Sequence, residues 1–199
     1  MRGHAEMVKL PFRKKTAPPP PSIWERLGDI ILQLQTIQHR LDAKARNMSM
    51  RGKEVFNQIV KAKMEKDEER AATYANELSQ LRKMVNSTVK SQASLEGVVL
   101  RLEAVKDFGE VRKVVGPIAA VLATVQKEMG GVVPEVSHGL RGVQDLLEDL
   151  AVSVGTVSNE YAGRTTLDDE AEAILKEATE IAAQRTKREI PEIVDGSYS

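Results

Sequence analysis

With 199 residues, 29 basic side chains balanced by 29 acidic ones, 41% hydrophobic but only 4% aromatic residues, and no cysteine, the chain has material for an elongated helical body rather than a thick globular core. The missing cysteines exclude a disulfide framework and any thiolate metal site, and they suit a reducing, intracellular setting. No run reaches the roughly 18 to 20 apolar residues of a spanning helix, and the first residues lack the apolar stretch of a secretory signal.

Zero net charge conceals a separation along the chain. Residues 1–21 hold five basic groups against one acidic, residues 22–64 hold eight against four, and residues 135–183 hold three against eleven. A basic front and an acidic rear imply either an internal electrostatic latch or two partners of opposite charge.

In chain order, residues 1–22 read as a flexible arm. Pro18 to Pro21 favour extended polyproline geometry and hold a basic tip apart from the first helix. In that tip Lys9, Arg13, Lys14 and Lys15 alternate with Met7, Val8, Leu10 and Phe12, a pattern that suits an anionic membrane interface or a solvated tail. Ser22 followed by Glu25 three residues later is a capping box opening a helix.

From Ile23 to Val115 the chain contains no proline and repeats apolar residues at helical spacing, far beyond an ordinary core helix of about 8 to 20 residues. Ile23, Leu27, Ile30, Leu34, Ile37, Leu41, Ala45, Met48, Gly52, Val55, Ile59 and Ala62 lie three or four apart, one stripe on a long helix. Ala71, Tyr74, Leu78, Leu81, Val85, Thr88, Gln92, Leu95, Val99 and Leu102 form a second stripe, and the six residues from Glu65 to Arg70 between them include nothing apolar. At about 1.5 Å per residue each arm is roughly 55 to 65 Å long, so the stripes bury each other only in an antiparallel hairpin, residues 23–115. Within it Met48, Met50 and Met64 read as core filler, while Gly52 and Gly97 suggest close helix approach or a bend.

Phe108, Val111, Val115, Ile118, Leu122, Val125 and Met129 continue a stripe, but Gly116-Pro117 predicts a kink or a break that starts a third helix at 117–129. Gly130-Gly131 ends it, and Pro134 suits the first turn of a fourth helix, 134–154, striped by Val136, Leu140, Val143, Leu147, Leu150 and Val154. Residues 23–158 are thus expected to form the helical core and residues 159–199 a linker, an acidic helix and a tail. Thr166 can cap that last helix, Asp168, Asp169 and Glu170 favour the positive end of its dipole, and the tail beyond Gln184 is expected to be disordered.

The basic hairpin, the short third helix, the segment Val133-Pro134-Glu135-Val136-Ser137 leading into Leu140, Val143, Asp145, Leu147, Glu148 and Asp149, and the acidic last helix together resemble the ESCRT-III family. Tyr74-Ala75-Asn76-Glu77-Leu78 narrows the resemblance to the archaeal cell-division paralogues of the CdvB group, here in a short form without a winged-helix tail. The resemblance covers roughly residues 24–183. It implies an all-α fold and filaments that remodel membranes: subunits open from a closed state, stack side by side with copies and paralogous subunits, and are dismantled by an ATPase with MIT domains. Two MIT-interacting patterns exist in that family. Ile174, Leu175 and Ile181 are a shortened version of the leucine-rich helix, and Ile190-Pro191-Glu192-Ile193 is a short version of the proline-spaced strand.

Residues for enzymatic chemistry are not evident. His4, His39 and His138 have no mutual ligand spacing, the chain lacks the pair of Glu-x-x-His motifs that a carboxylate-bridged metal enzyme requires, and Asp168-Asp169-Glu170 fits first-turn capping without a calcium-loop pattern. Neither a phosphate loop, nor a nucleotide fingerprint, nor a nucleophile with a paired base is present. No enzyme activity, cofactor or metal is expected.

The favoured function is a filament subunit acting in cell division or membrane scission, peripheral on the cytoplasmic face of the cell membrane at the division site. Arg40, Lys44, Arg46, Arg51, Lys53, Lys61 and Lys63 are candidates for anionic head groups, alongside the four basic residues of the arm. Asp168, Asp169, Glu170, Glu172, Ile174, Leu175, Glu177 and Ile181, with Ile190, Pro191 and Ile193, are candidates for autoinhibition or partner binding, the acidic helix lying against the basic first helix. The alternative is a soluble coiled-coil adaptor or a nucleic-acid-associated scaffold, since phosphate contacts use the same cations. Lack of aromatic residues among those cations disfavours single-strand stacking, and nucleic acid is not an expected partner.

Overall fold

The computed structural model describes residues 21–155 and 169–189. Among the described residues it contains five helices and no strand: α1 Ile23–Met64, α2 Glu68–Ala104, α3 Phe108–Met129, α4 Pro134–Ser153 and α5 Asp169–Glu189. The all-α expectation and the long hairpin are both present.

α1 begins where Ser22 and Glu25 satisfy each other's backbone donors: Glu25 N donates to Ser22 Oγ at 3.2 Å, and Ser22 N donates to Glu25 Oε2 at 2.6 Å. Its far end closes in a Schellman turn. Asp67 N donates to Ala62 O at 2.9 Å and Lys66 N to Lys63 O at 3.1 Å, which places Lys66 at the left-handed position usually held by glycine, with φ 58°. Asp67 then caps α2 by accepting from Arg70 N at 3.0 Å. The hairpin therefore turns within the apolar-free stretch.

Two apolar clusters divide its length. At the root, Leu27, Ile30, Leu34, Ile37 and Leu41 of α1 meet Leu95, Val98, Val99 and Leu102 of α2, and α3 and α4 complete this cluster with Ile118, Leu122, Met129, Leu140 and Leu147. Toward the tip, Ala45, Met48 and Val55 pack with Leu78, Leu81, Val85 and Val89. α4 lies along α1 closely enough that a Cβ on Gly139 would stand 3.3 Å from Ile37 Cδ1, so a larger residue there would push the Ile37 side chain by a few tenths of an ångström.

Several expectations are corrected. Pro117 does not break the chain: the hairpin ends at Ala104, and α3 starts at Phe108 and continues through Pro117 to Met129. Asp107 caps it, accepting from Glu110 N at 2.9 Å, while Glu110 Oε2 accepts from Lys106 N at 2.6 Å. An interior proline costs about 3 kcal/mol, but Val111 and Val115 before it and Ile118, Val121, Leu122 and Val125 after it are buried in one core, which outweighs that cost. Of the three methionines read as core filler only Met48 is buried; Met50 and Met64 are exposed. α5 continues beyond Gln184 to Glu189, where the sequence places no proline or glycine to stop it. Residues 1–20, 156–168 and 190–199, with Lys9, Arg13, Lys14, Lys15, Asp168, Ile190, Pro191, Ile193 and the Thr166 cap, lie outside the described residues.

Candidate functional site

The seven basic candidates on α1 are all exposed, but the structure divides them. Arg46 pairs with Asp42, Lys61 approaches Glu65 at 4.0 Å, and Lys63 pairs with Glu68 across the turn at 2.5 Å. Arg51 reaches Glu77 on α2 at 3.0 Å and Glu54 at 3.4 Å, and the hydrogen bond to Glu77 raises its already high pKa. Among the described residues, Arg40, Lys44 and Lys53 have no carboxylate within ion-pair distance. Exposed pairs of this kind contribute about 0 to 1 kcal/mol, so a polyanionic surface can take over the paired cations at small cost. The exposed α1 surface is therefore a cationic face backed by the buried apolar seam.

The acidic helix sits elsewhere than its charge predicts. α5 packs on α2, with a smaller contact to α3, and not along α1. Among the described residues only Glu170 of the acidic candidates forms an ion pair, with Arg101 at 3.4 Å; Asp169, Glu172 and Glu177 point to solvent. A second bridge runs with opposite polarity, from Arg185 on α5 to Glu96 on α2 at 3.1 Å. What holds α5 is apolar: Ala171, Ile174, Ala178 and Ala182 are buried, Leu175 and Ile181 half-buried. Charge separation in sequence misled because helical phase decides which side chains face the partner. The acidic residues fall between the Ala171, Ile174, Ala178, Ala182 positions.

Sequence reasoning missed what α5 docks against. Ile174 lies over Gly97 of α2, where a Cβ would stand 3.4 Å from Ile174 Cγ2, a close but ordinary contact. Thr186 Oγ1 and Asn86 Oδ1 lie 3.4 Å apart farther along. The signal was present in Gly97 and in the Ala171, Ala178, Ala182 spacing, but neither names its partner.

A second missed feature is how α4 ends. It has no basic residue in its last turn, yet Arg112 of α3 donates to Val154 O at 2.7 Å, and Arg26 of α1 donates to Ser153 Oγ at 3.0 Å and to Asp149 O at 3.5 Å. Two cations from other helices thus supply the carbonyl partners that the sequence of α4 lacks.

Among the described residues no group of three or more histidine, aspartate or glutamate side chains could hold a metal ion, and no helix is long and apolar enough to cross a membrane.

The architecture is that of a helical-hairpin protein with a basic arm outward and an acidic helix folded onto the other arm. The Snf7 family matches residues 29–197. Cell division protein B1 of Sulfolobus acidocaldarius is 33% identical over 168 residues, covering 84% of this chain and 78% of that protein. Cell division protein B of the same organism is 29% identical over 167 residues, covering 84% of this chain and 64% of that protein. The chain belongs to the Snf7 (ESCRT-III) family and is a homologue of these archaeal cell division proteins. No solved structure matches it.

Proposed function

We propose that this protein acts in cell division as a filament-forming subunit that assembles on anionic membrane with copies of itself and with paralogous subunits. Similarity to two cell division proteins supports the process. The observation that carries the membrane reading is the exposed α1 face, where Arg40, Lys44 and Lys53 lack carboxylate partners among the described residues. Each such cation contributes on the order of 1 kcal/mol near an anionic surface, and the contributions repeat along a polymer. No residue is assigned a catalytic role. The place of action is the cytoplasmic face of the membrane at the division site.

The docked α5 supports autoinhibition in a form different from an electrostatic clasp: an apolar contact on α2 through Ala171, Ile174, Ala178 and Ala182, which a neighbour or a membrane would have to displace. An ATPase with MIT domains that reads Ile174, Leu175 and Ile181 would have to displace the same contact, since Ile174 is buried in it.

The test is electron microscopy and sedimentation of the purified full chain with anionic and with neutral vesicles. Filaments on anionic vesicles, and loss of binding on reversing Arg40, Lys44, Arg46 and Arg51 to glutamate, are expected; undiminished binding to neutral vesicles in high salt would contradict the reading. Deleting residues 156–199 should lower the concentration needed for polymerisation. A truncated protein that stays monomeric where the full chain assembles would make α5 an assembly element instead of a brake.

A further inference from the structure

The face of α1 opposite its buried seam carries a second periodic pattern. Starting at Leu32 and stepping alternately four and three residues to Met64, every position is exposed, so the steps trace one outward ridge. Four large apolar side chains stand on it: Leu32 at 62% exposure, Met50 at 57%, Val60 at 45% and Met64 at 80%. Between them on the same ridge stand Arg46 and Lys53, and no ridge position holds a carboxylate. At about 1.5 Å per residue the ridge is roughly 48 Å long.

Isolated exposed hydrophobic residues are ordinary, but four on one line of one helix, alternating with cations, are an unpartnered amphipathic face. Its chemistry selects the occupant. A second copy would have to offer an acidic surface that is also apolar. The outer face of α4 offers Glu135, Asp145, Glu148 and Asp149 but one exposed large hydrophobic, Val152, so the ridge's apolar groups would stay largely uncovered there. An anionic lipid surface offers both at once, phosphates at the level of the cations and acyl chains just beneath.

Resting on the membrane reading above, we propose that this outer ridge of α1 is the membrane-inserting face of the protein, with Leu32, Met50, Val60 and Met64 entering the head-group boundary while Arg46 and Lys53 hold phosphates beside them. The Arg40 and Lys44 side of the helix then lies at the edge of the contact, and Arg51 keeps its bridge to Glu77. Binding is partly hydrophobic, which the charge pattern alone does not predict.

The absence of cysteine makes the test site-specific. The full chain bearing Met50→Cys or Val60→Cys, and as a control Ser79→Cys on the exposed surface of α2, is labelled with an environment-sensitive dye and mixed with vesicles of equimolar phosphatidylglycerol and phosphatidylcholine. The dye at positions 50 and 60 should shift to the blue with vesicles and the dye at 79 should not. The unlabelled variant Leu32→Ser, Met50→Ser, Val60→Ser, Met64→Ser should bind these vesicles roughly tenfold or more weakly. All four positions are exposed, so the variant should keep the wild-type helical spectrum and melting temperature. If the full chain co-sediments with vesicles while positions 50 and 60 stay unshifted, or the serine variant binds as wild type, the ridge is not the inserting face although the membrane reading stands. A blue shift at 50 and 60 that grows with protein concentration without vesicles would give the ridge to a second copy and overturn the proposal. Failure of the unmodified chain to bind any anionic vesicle would remove the membrane reading and the ridge assignment together.

Discussion

Replacing Ile174 by alanine tests whether α5 is a separable latch. The side chain is buried at 1% exposure against Gly97 on α2, and the substitution removes three carbon atoms from that contact. At about 0.8 kcal/mol per buried methylene the loss is about 2 to 3 kcal/mol, the low end for a buried isoleucine because a helix at the edge can settle into the space. The two flanking ion pairs, Arg101 with Glu170 and Arg185 with Glu96, are partly exposed and contribute at most about 1 kcal/mol each, so they cannot restore it. The docked-to-undocked ratio should therefore fall roughly 30- to 150-fold. Amide hydrogen exchange reads this directly: protection in residues 169–189 should drop by that factor, while amides of α1 and of the α2 root keep wild-type protection. If protection falls equally in α1 and α5, α5 is part of one cooperative unit and the latch reasoning is wrong.

Three other perturbations probe the parts beneath it. Leu34→Asp places a carboxylate at a fully buried position of the root cluster and should cost about 4 kcal/mol or more, seen as loss of the cooperative thermal transition; a melt near wild type would disprove the seam. Lys66→Gly should stabilise by about 0.5 kcal/mol, read from chemical denaturation, since a lysine occupies the left-handed position; a loss of stability would mean the turn is held by the lysine side chain instead. The hydrogen bond from the Ser22 backbone, with the Ser22 hydroxyl second, holds the Glu25 carboxyl below its ordinary pKa. A depressed folded-state pKa gives stabilisation that is present above the ordinary carboxylate range and disappears as the pH falls through the folded value. Exchange protection in the first turn of α1 should follow that course in the wild type and become independent of acid pH in Glu25→Gln, and identical acid profiles for the two would refute the capping role.

The sequence by itself determined the hairpin. A stripe repeated every three or four residues over more than 30 positions leaves a long helix nothing to bury against except another of the same length, and the apolar-free stretch Glu65 to Arg70 is where such a pair must turn. Capping at Ser22 and the first-turn proline of α4 were equally legible, because those signals act within one turn of chain. Asp107-Phe108-Gly109-Glu110 carried a local start signal too, which the conspicuous Gly116-Pro117 overshadowed. Burial on both sides of Pro117 is a property of the assembled core, and only the tertiary structure could set it against the proline.

The same division separates the candidate surfaces. That α1 is basic and that a later helix is acidic can be counted from the sequence. Whether those charges meet depends on the phase of each helix, on the length of chain between Ser153 and Asp169, and on which face of the hairpin offers side chains small enough to approach. Burial of Ala171, Ile174, Ala178 and Ala182 goes with docking on α2, since close packing requires matching shapes whereas exposed charges attract weakly at any of several positions. Met50 and Met64 are the reverse case: they read as core filler in the sequence, whereas the folded hairpin, by burying the other side of α1, leaves them with Leu32 and Val60 on a ridge facing outward.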